Sequence, residues 1–466
     1  MSMFKAAASN NIERVIQLLS NTDTNDTNQT NQFGDTALVV ASEAGNTEMV
    51  QLLLAVPGIK VNTSNNYGNT ALMVASLKGN SEIVQMLLAV EGIKVNTSNL
   101  NGNTALLYAS KKKHSAIAQM LLEMEGIDIN KGEEDCKTAL MFAILMQNTE
   151  IVQLLLAHPT IDINKSEKFG ATSLILASEN GSTAIVQLLL AHPKINVNQK
   201  DDYGFTTPLM GATYNGHTDI VQLLLAVEGI NVNQPNYVNG TPLMAASFNG
   251  HTEIVQLLLA VEGIDVNLKN RVEITALTSA TQSENIDIVK LLLSVQGIDV
   301  NHANADGWTA LIVATQNGST SIVELFLAHP GIDVNKANNN GTTALMRASE
   351  SGNTDIVQLL LAAPGIDVNK SDDVGWTALK AGSMLEYTAI VQLLTDANEP
   401  YLVKKNKEVR QWKKVPMPLR RWLEERRGVV KSRNAKLIDL WLAKKGLLDW
   451  QNSKYEKIRA KRCRMD

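Results

Sequence analysis

The residues of this 466-residue chain that could carry chemistry recur with a period and do not cluster. Five of the seven histidines fall in two such columns, three before a proline (His158, His192, His329) and two after a glycine (His217, His251). A histidine that is copied with a repeat is a weak candidate for a catalytic base or a metal ligand. No phosphate-binding glycine loop, nucleophile elbow or His-Glu-x-x-His is present. The sequence therefore predicts no catalytic residue, no metal site and no cofactor, and a protein that is not an enzyme.

Threonines at nearly constant intervals show what positions these side chains. They are Thr36, Thr70, Thr104, Thr138, Thr172, Thr207, Thr241, Thr275, Thr309, Thr343 and Thr377; nine of the ten intervals are 34 residues, and the one after Thr172 is 35. A fixed period of this length predicts a solenoid, in which each unit buries its apolar face only against its neighbours. Such a stack offers a long surface and no closed pocket, which favours binding over catalysis.

One unit, residues 341–369, shows the local pattern. Thr343 can cap a first helix, because its hydroxyl can accept a hydrogen bond from a free backbone N–H of the first turn. Gly352 permits the positive φ of a tight turn between helices. Thr354 then opens a second, Leu-rich helix, and residues 370–375 form a hairpin-like projection before the next unit. The unit is therefore two antiparallel helices and a protruding tip.

This unit resembles the ankyrin repeat. The shared motif is clearest at residues 216–221, Gly-His-Thr-Asp-Ile-Val, and at residues 240–247, Gly-Thr-Pro-Leu-Met-Ala-Ala-Ser. The resemblance implies an all-α fold with β-turn hairpin tips in a solenoid spanning residues 1–398. It comprises an N-terminal capping unit and polar loop (1–32) and eleven full repeats of about 34 residues (33–398). In the capping unit, the run from Val15 to Leu19 matches the Ile-Val-Gln-Leu-Leu of a second helix.

Four repeats lack the glycine between their helices. Lys113, Gln147, Glu284 and Glu386 stand in its place. A side chain at positive φ costs about 1 kcal/mol, so either these turns are strained or they take another shape. The repeats with Lys113, Gln147 and Glu284 are therefore candidates for weak points or binding sites, with tolerated sequence drift as the alternative.

The resemblance also implies where a partner binds, namely the hairpin tips and the inner-helix face. Large aromatic residues occupy two tip positions, before the hairpin glycine (Phe33, Tyr67, Phe169, Tyr203) and after it (Trp308, Trp376). Rigid rings at exposed tips are typical of recognition surfaces. We predict that these six residues bind a protein partner, and the alternative is that they pack on the neighbouring hairpins.

The period stops near residue 399, where the composition changes. Residues 401–466 hold 21 basic and 7 acidic residues, a charge of about +14, whereas residues 1–400 hold 21 basic and 40 acidic residues, a charge of −19. Four of the six tryptophans also lie there, which predicts a basic, Trp-rich helical module at residues 399–466. Its basic and aromatic candidates are Lys413, Lys414, Arg420, Arg421, Trp422, Arg426, Arg427, Lys461, Arg462 and Arg464.

Several roles for this module remain open. It could cap the last repeat, bind nucleic acid through phosphate contacts and Trp stacking, or bind another protein or an anionic membrane surface. Residues 457–464 could also serve as a nuclear import signal. Residues 415–423 resemble the cullin-contacting segment of ubiquitin-ligase adaptors, although the Cys-containing helix that precedes that segment in the family is missing.

The composition bounds location and class. Two cysteines, Cys136 and Cys463, are too few for a disulfide framework and indicate a reducing compartment. No run of 18 apolar residues predicts a membrane span, and the first residues do not read as a secretory signal. We predict an intracellular, monomeric scaffold, cytoplasmic with a nuclear alternative, that binds a protein partner. The second hypothesis is a nucleic-acid-associated protein that binds through residues 401–466, and the third is a ubiquitin-ligase substrate adaptor.

Overall fold

The computed structural model describes residues 3–21 and 26–405. Within these ranges the chain forms 24 α-helices and one short 3-10 helix at Asp26–Asn28. It forms no β-sheet there, and three isolated bridges close hairpins, such as the bridge between Ser166 and Thr172. The predicted all-α solenoid with hairpin tips is confirmed.

The helices come in twelve consecutive pairs. They are α1 (Met3–Ala8) and α2 (Ile12–Asn21); α3 (Ala37–Ala44) and α4 (Thr47–Leu54); α5 (Ala71–Lys78) and α6 (Ser81–Leu88); α7 (Ala105–Lys111) and α8 (Ser115–Leu122); α9 (Ala139–Leu145) and α10 (Thr149–Leu156); α11 (Ser173–Glu179) and α12 (Thr183–Leu190); α13 (Pro208–Tyr214) and α14 (Thr218–Leu225); α15 (Pro242–Asn249) and α16 (Thr252–Leu259); α17 (Ala276–Gln282) and α18 (Ile286–Leu293); α19 (Ala310–Asn317) and α20 (Thr320–Ala328); α21 (Ala344–Ser351) and α22 (Thr354–Ala362); α23 (Ala378–Met384) and α24 (Thr388–Lys405). The last eleven pairs are the eleven predicted repeats. The odd-numbered helix of each pair is called inner below, and the even-numbered helix outer.

The periodic threonine begins every inner helix from α3 to α23. Thr343, for example, accepts a hydrogen bond from the backbone N–H of Met346 at 3.3 Å. This bond satisfies one of the N–H groups that a helix leaves free at its start. Gly352, at φ 76°, then ends α21 in the left-handed conformation. Both boundaries of the helix are thus encoded by single residues of the repeat.

The four turns without glycine keep the same shape. Lys113, Gln147, Glu284 and Glu386 have φ values of 61°, 55°, 58° and 61°, close to those of the glycines they replace. Of the two predicted outcomes, these turns are therefore strained and not reshaped. Each holds an L-residue in a region that costs about 1–2 kcal/mol.

The core runs without a break from one repeat to the next. In α22, Ile356, Val357 and Leu360 are buried, while Leu359 and Leu361 are half-buried against the same core. The equivalent positions repeat through the described chain, with Phe326 replacing a leucine in α20. Each helix pair therefore depends on its neighbours for most of its apolar burial.

The N-terminal pair differs by one residue from the expected register. Val15 donates its backbone N–H to Asn11, as Val50 does to Asn46, so Val15 corresponds to Val50. The prediction that Val15 and Ile16 take the buried Ile-Val positions is wrong for Ile16, which is 48% exposed. The reason is that α1 is short and ends in a turn at Asn10, whose φ is 51°.

Asparagines join the loops of successive repeats. Asn233 donates its Nδ2 to the carbonyl of Gly263 at 2.7 Å and accepts the N–H of Asp265 at 3.0 Å. Ten asparagines of the described chain make this pair of bonds: Asn28, Asn62, Asn96, Asn130, Asn164, Asn198, Asn233, Asn267, Asn301 and Asn335. We call this set the asparagine ladder. It satisfies loop backbone groups that helices cannot reach.

Candidate functional site

Side-chain and backbone hydrogen bonds hold each hairpin tip in shape. At the second tip, Asn65 accepts the N–H groups of Tyr67 and Asn69 at 3.0 and 2.9 Å. Successive tips are also joined, because Asn66 donates its N–H to the carbonyl of Phe33, and Leu100 donates to Tyr67. The tips therefore form a continuous edge in which equivalent side chains of neighbouring repeats lie side by side.

Four rings on this edge make an aromatic row: Phe169, Tyr203, Phe205 and Tyr237. The ring centroids are 6.2 Å apart between Phe169 and Tyr203, 5.7 Å between Tyr203 and Phe205, and 4.3 Å between Phe205 and Tyr237. The guanidinium of Arg271 lies 5.9 Å from the Tyr237 ring. Tyr203 is 58% exposed. The row thus spans three consecutive tips and presents ring surface to solvent.

Sequence reasoning identified Phe169 and Tyr203 but missed Phe205 and Tyr237. The signal for Phe205 was the one 35-residue interval, since the added residue lies in this hairpin. Phe205 and Thr206 both donate their N–H to Asp201 Oδ1, at 2.6 and 3.2 Å, so the wider turn is closed by one carboxylate. Tyr237 lies one position earlier than the tip aromatics of other repeats, where the search did not look.

The other predicted tip residues are placed in two ways. Phe33 and Tyr67, on the first two tips, are 51% and 61% exposed. Trp308 and Trp376 are half-buried, and the guanidinium of Arg347 lies 4.9 Å from the Trp308 ring. Trp308 donates its N–H to Asn304 Oδ1 at 2.8 Å. These two tryptophans have the placement expected for the packing alternative.

The inner helices behind the aromatic row also expose rings. Tyr214 at the end of α13 and Phe248 in α15 are 41% and 38% exposed. Between them and the tips the surface is flat, because Gly211 stands where other repeats have a large residue such as Phe142. A Cβ on Gly211 would lie 2.8 Å from Cγ of Glu179.

A different surface lies on the inner helices α7 and α9. Lys111 places its ammonium 4.2 Å from the Phe142 ring centroid and donates to Asn103 at 3.1 Å. The phenol of Tyr108 accepts from Asn99 at 2.8 Å. Burial raises the pKa of Tyr108, and the hydrogen bond from Asn99 opposes this only in part. The tyrosine is therefore a neutral part of an apolar surface next to the lysine.

A charged cluster occupies the tips before the aromatic row. The ammonium of Lys137 lies 3.7, 3.6 and 3.9 Å from carboxylates of Glu133, Asp135 and Glu167. Burial alone would raise the pKa of Asp135, but the hydrogen bond from Lys168 and the charge of Lys137 together hold this pKa below its usual value. Opposite charges thus lie together at this edge, which is the arrangement of a structural network.

Features of other protein classes were also considered. In residues 3–21 and 26–405, no three His, Cys, Asp or Glu side chains lie close enough together to bind a metal ion. No helix of that part of the chain combines the length and apolar composition that crossing a membrane requires. An open groove of about 530 Å³ lies between α18 and α20, and its lining includes Lys290 and Glu324. The ten basic and aromatic candidates between Lys413 and Arg464 lie outside the described residues.

Comparisons with known proteins agree with this geometry. A family profile described as ankyrin repeats, in three copies, matches residues 3–99, 88–167, 130–201, 157–236, 174–270, 209–304, 243–338, 277–372 and 327–406. Stacked helix pairs with joined tips define a repeat solenoid of the kind that generally serves in protein–protein interaction. The chain belongs to the ankyrin-repeat family, whose members are typically non-enzymatic interaction scaffolds.

Two solved structures are similar to parts of the chain. The ankyrin repeat domain of Bcl-3, described as a unique member of the IkappaB protein family, is 26% identical; the match covers 48% of this chain and 99% of that one, with a TM-score of 0.44. EF0377, an ankyrin repeat protein, is 30% identical over 40% of this chain and 96% of its own, with a TM-score of 0.38. No curated protein sequence matches.

Proposed function

We propose that this chain is an intracellular scaffold that binds a protein partner noncovalently, and that the aromatic row is part of its binding surface. The observation that carries the proposal is the contact between Phe169, Tyr203, Phe205 and Tyr237 across three tips. Aromatic side chains dominate the binding energy of protein interfaces, because they bury a large area and lose little conformational entropy. The rings are already positioned, so binding orders few additional groups.

Several features support the wider surface. Phe33 and Tyr67 extend the exposed aromatic positions to the first tips, and Tyr214 and Phe248 add ring surface on the inner helices. Two cysteines in 466 residues support the intracellular location, and they favour the cytoplasm or nucleus over a secretory compartment. A monomeric scaffold with one long face is the simplest form of this proposal.

The experiment compares partner capture by matched variants. Tyr203→Ser removes the most exposed ring of the row, and Ile286→Ser removes a side chain that is 38% exposed on the outer helix α18. Proteins captured by the purified wild-type chain are quantified by mass spectrometry against both variants. We expect Tyr203→Ser to lose at least one partner that Ile286→Ser retains. Identical partner profiles for all three proteins would contradict the proposal.

The charge asymmetry of the chain supports a second candidate, binding of nucleic acid. Residues 401–466 hold 21 basic and 7 acidic residues together with four tryptophans, which suits phosphate contacts and base stacking. The test is the affinity of the full chain and of a chain ending at residue 405 for single-stranded and duplex DNA and RNA. Salt-sensitive binding by the full chain alone supports this function, and no salt-sensitive binding refutes it.

A further inference from the structure

Four lysines lie close together on or just after the inner helices of two successive repeats. Lys78 and Lys111 end α5 and α7, and Lys112 and Lys113 follow in the next turn. We call these residues the lysine patch. Lys112 and Lys113 are exposed, and within residues 26–405 neither forms an ion pair. Lys78 is bound to Glu43 at 3.3 Å.

The patch is unusual in its electrostatic setting. Residues 1–400 carry a net charge of −19, yet α7 and α9 contain no Asp or Glu. Cations at a helix C-terminus gain up to about 1 kcal/mol from the helix dipole, which accounts for one lysine more readily than for three in a row. A local excess of positive charge in an acidic protein indicates a negatively charged partner.

Backbone strain points to the same place. Lys113 has φ 61° at a turn where Gly45 and Gly79 have φ 73° and 82°. A residue held in this region costs about 1–3 kcal/mol, and such residues concentrate at functional sites. The next turn also carries a side chain, Gln147, at φ 55°. Two successive strained turns therefore border one surface.

Apolar side chains lie beside the lysines. Leu77, Tyr108, Leu145 and Met146 are half-buried on the inner helices α5, α7 and α9 or at their ends. Phe142 is 7% exposed and lies beneath the ammonium of Lys111. The surface thus combines an apolar floor with free ammonium groups at its border.

We propose that this surface binds an acidic segment of a protein partner in which Asp or Glu residues accompany large apolar side chains. The carboxylates would pair with Lys112 and Lys113, and the apolar side chains would cover Leu77, Tyr108 and Met146. A nucleic acid is the less suitable occupant, because the net charge of −19 around the patch repels a phosphate backbone. This inference rests on the proposed protein-binding function and names the chemistry of one partner segment.

The probe is a displayed library of random 12-residue peptides, selected on the full-length protein at 50 mM salt. We expect the recovered peptides to be enriched in Asp and Glu next to Leu or Phe. Their affinity for Lys112→Ser/Lys113→Ser should fall about tenfold, since two partly screened charge pairs are lost. Lys290→Ser removes an exposed lysine of α18 and should leave the affinity unchanged.

A second variant separates binding from folding. Lys113→Gly removes the charge and relieves the strained φ, so this protein should be at least as stable as the wild type and still bind more weakly. Recovered peptides without acidic enrichment, or acidic peptides that bind the lysine variants as well as the wild type, overturn the inference. Peptides that depend on Tyr203 but not on the lysines would overturn it and leave the proposed function standing. Failure to recover any saturable binder would count against both.

Discussion

The turn at Gly181 allows a quantitative test of how neighbouring repeats are joined. Gly181 has φ 73°, and a Cβ at this position would lie 2.6 Å from Cε1 of His217 in the next repeat. His217 Nε2 bonds the carbonyl of Glu179 at 3.0 Å. In Gly181→Ala the added methyl group must displace the imidazole, so the variant loses this bond as well as adopting a strained backbone.

The expected cost follows from these two effects. An alanine in the left-handed region costs about 1–2 kcal/mol, and the lower entropy of its unfolded chain returns about 0.4–1 kcal/mol, which leaves about 1 kcal/mol. The lost hydrogen bond adds about 1 kcal/mol. Gly181→Ala should therefore lower the free energy of unfolding by about 2 kcal/mol. Gly229, at φ 80°, has no described atom within 4 Å of its added Cβ, so Gly229→Ala should cost only the strain.

Two junctions in the chain already show the compensating pair. The turn residues Gln147 and Glu284 carry side chains, and the positions equivalent to His217 in the following repeats are Ser182 and Ser319. Both serine hydroxyls are buried without a hydrogen-bond partner in the described part of the chain. A short residue thus stands where the turn side chain leaves no room for a bridging one.

Native-state hydrogen exchange of the α11–α14 amides measures the local free energy of opening, which suits a repeat array better than one global transition. His217→Ser alone should cost about 1 kcal/mol. The double variant Gly181→Ala/His217→Ser should cost about 2 kcal/mol and not 3, a coupling energy of about 1 kcal/mol. Additive single effects, or equal costs for Gly229→Ala and Gly181→Ala, would refute this reasoning.

Three further outcomes are expected. Asn233→Asp should lower the local free energy of opening by about 2 kcal/mol, because one of its two bonds becomes a repulsion between oxygens; unchanged exchange at the next loop would contradict this. Thr241→Ala removes the cap of α15 and should cost about 1 kcal/mol by urea unfolding, whereas a change at the exposed Thr252 should cost less. The lowered pKa of Asp135 implies a stabilisation that is complete above its unfolded value near 4 and is lost as the pH falls through the folded value. Lys168→Ser should raise this pKa in an NMR titration, and an unchanged pKa would exclude the ion pair as its cause.

The helices and their ends could be predicted because they depend on single residues within one repeat. Thr343 caps α21, and Gly352 ends it, whatever the neighbouring repeats contain. The strained turns could be located but not decided, since strain at Lys113 competes with a change of turn shape. The structure shows the left-handed turn, which keeps its neighbouring helices in register with the rest of the array.

The candidate surface was less predictable, because it depends on contacts between repeats. Phe205 and Tyr237 lie outside the tip columns of the period, yet they complete the aromatic row. Trp308 follows its hairpin glycine by one residue, and this single step directs its ring toward the core and Arg347. The register of the N-terminal pair was wrong at Ile16 for a similar reason, since the length of α1 is set by packing against α3 and not by a motif.

The asparagine ladder has a consequence for how this protein can change in length. Asn233 and Asn267 bond to groups 30 and 32 residues further along the chain, and so does nearly every other member of the ladder. A unit of 34 residues that is inserted or removed whole therefore finds matching donors and acceptors on both sides. Recombination between copies can lengthen or shorten the scaffold without any new interface having to evolve, while the residues that differ between copies, such as Lys113 and Phe205, travel with their own unit.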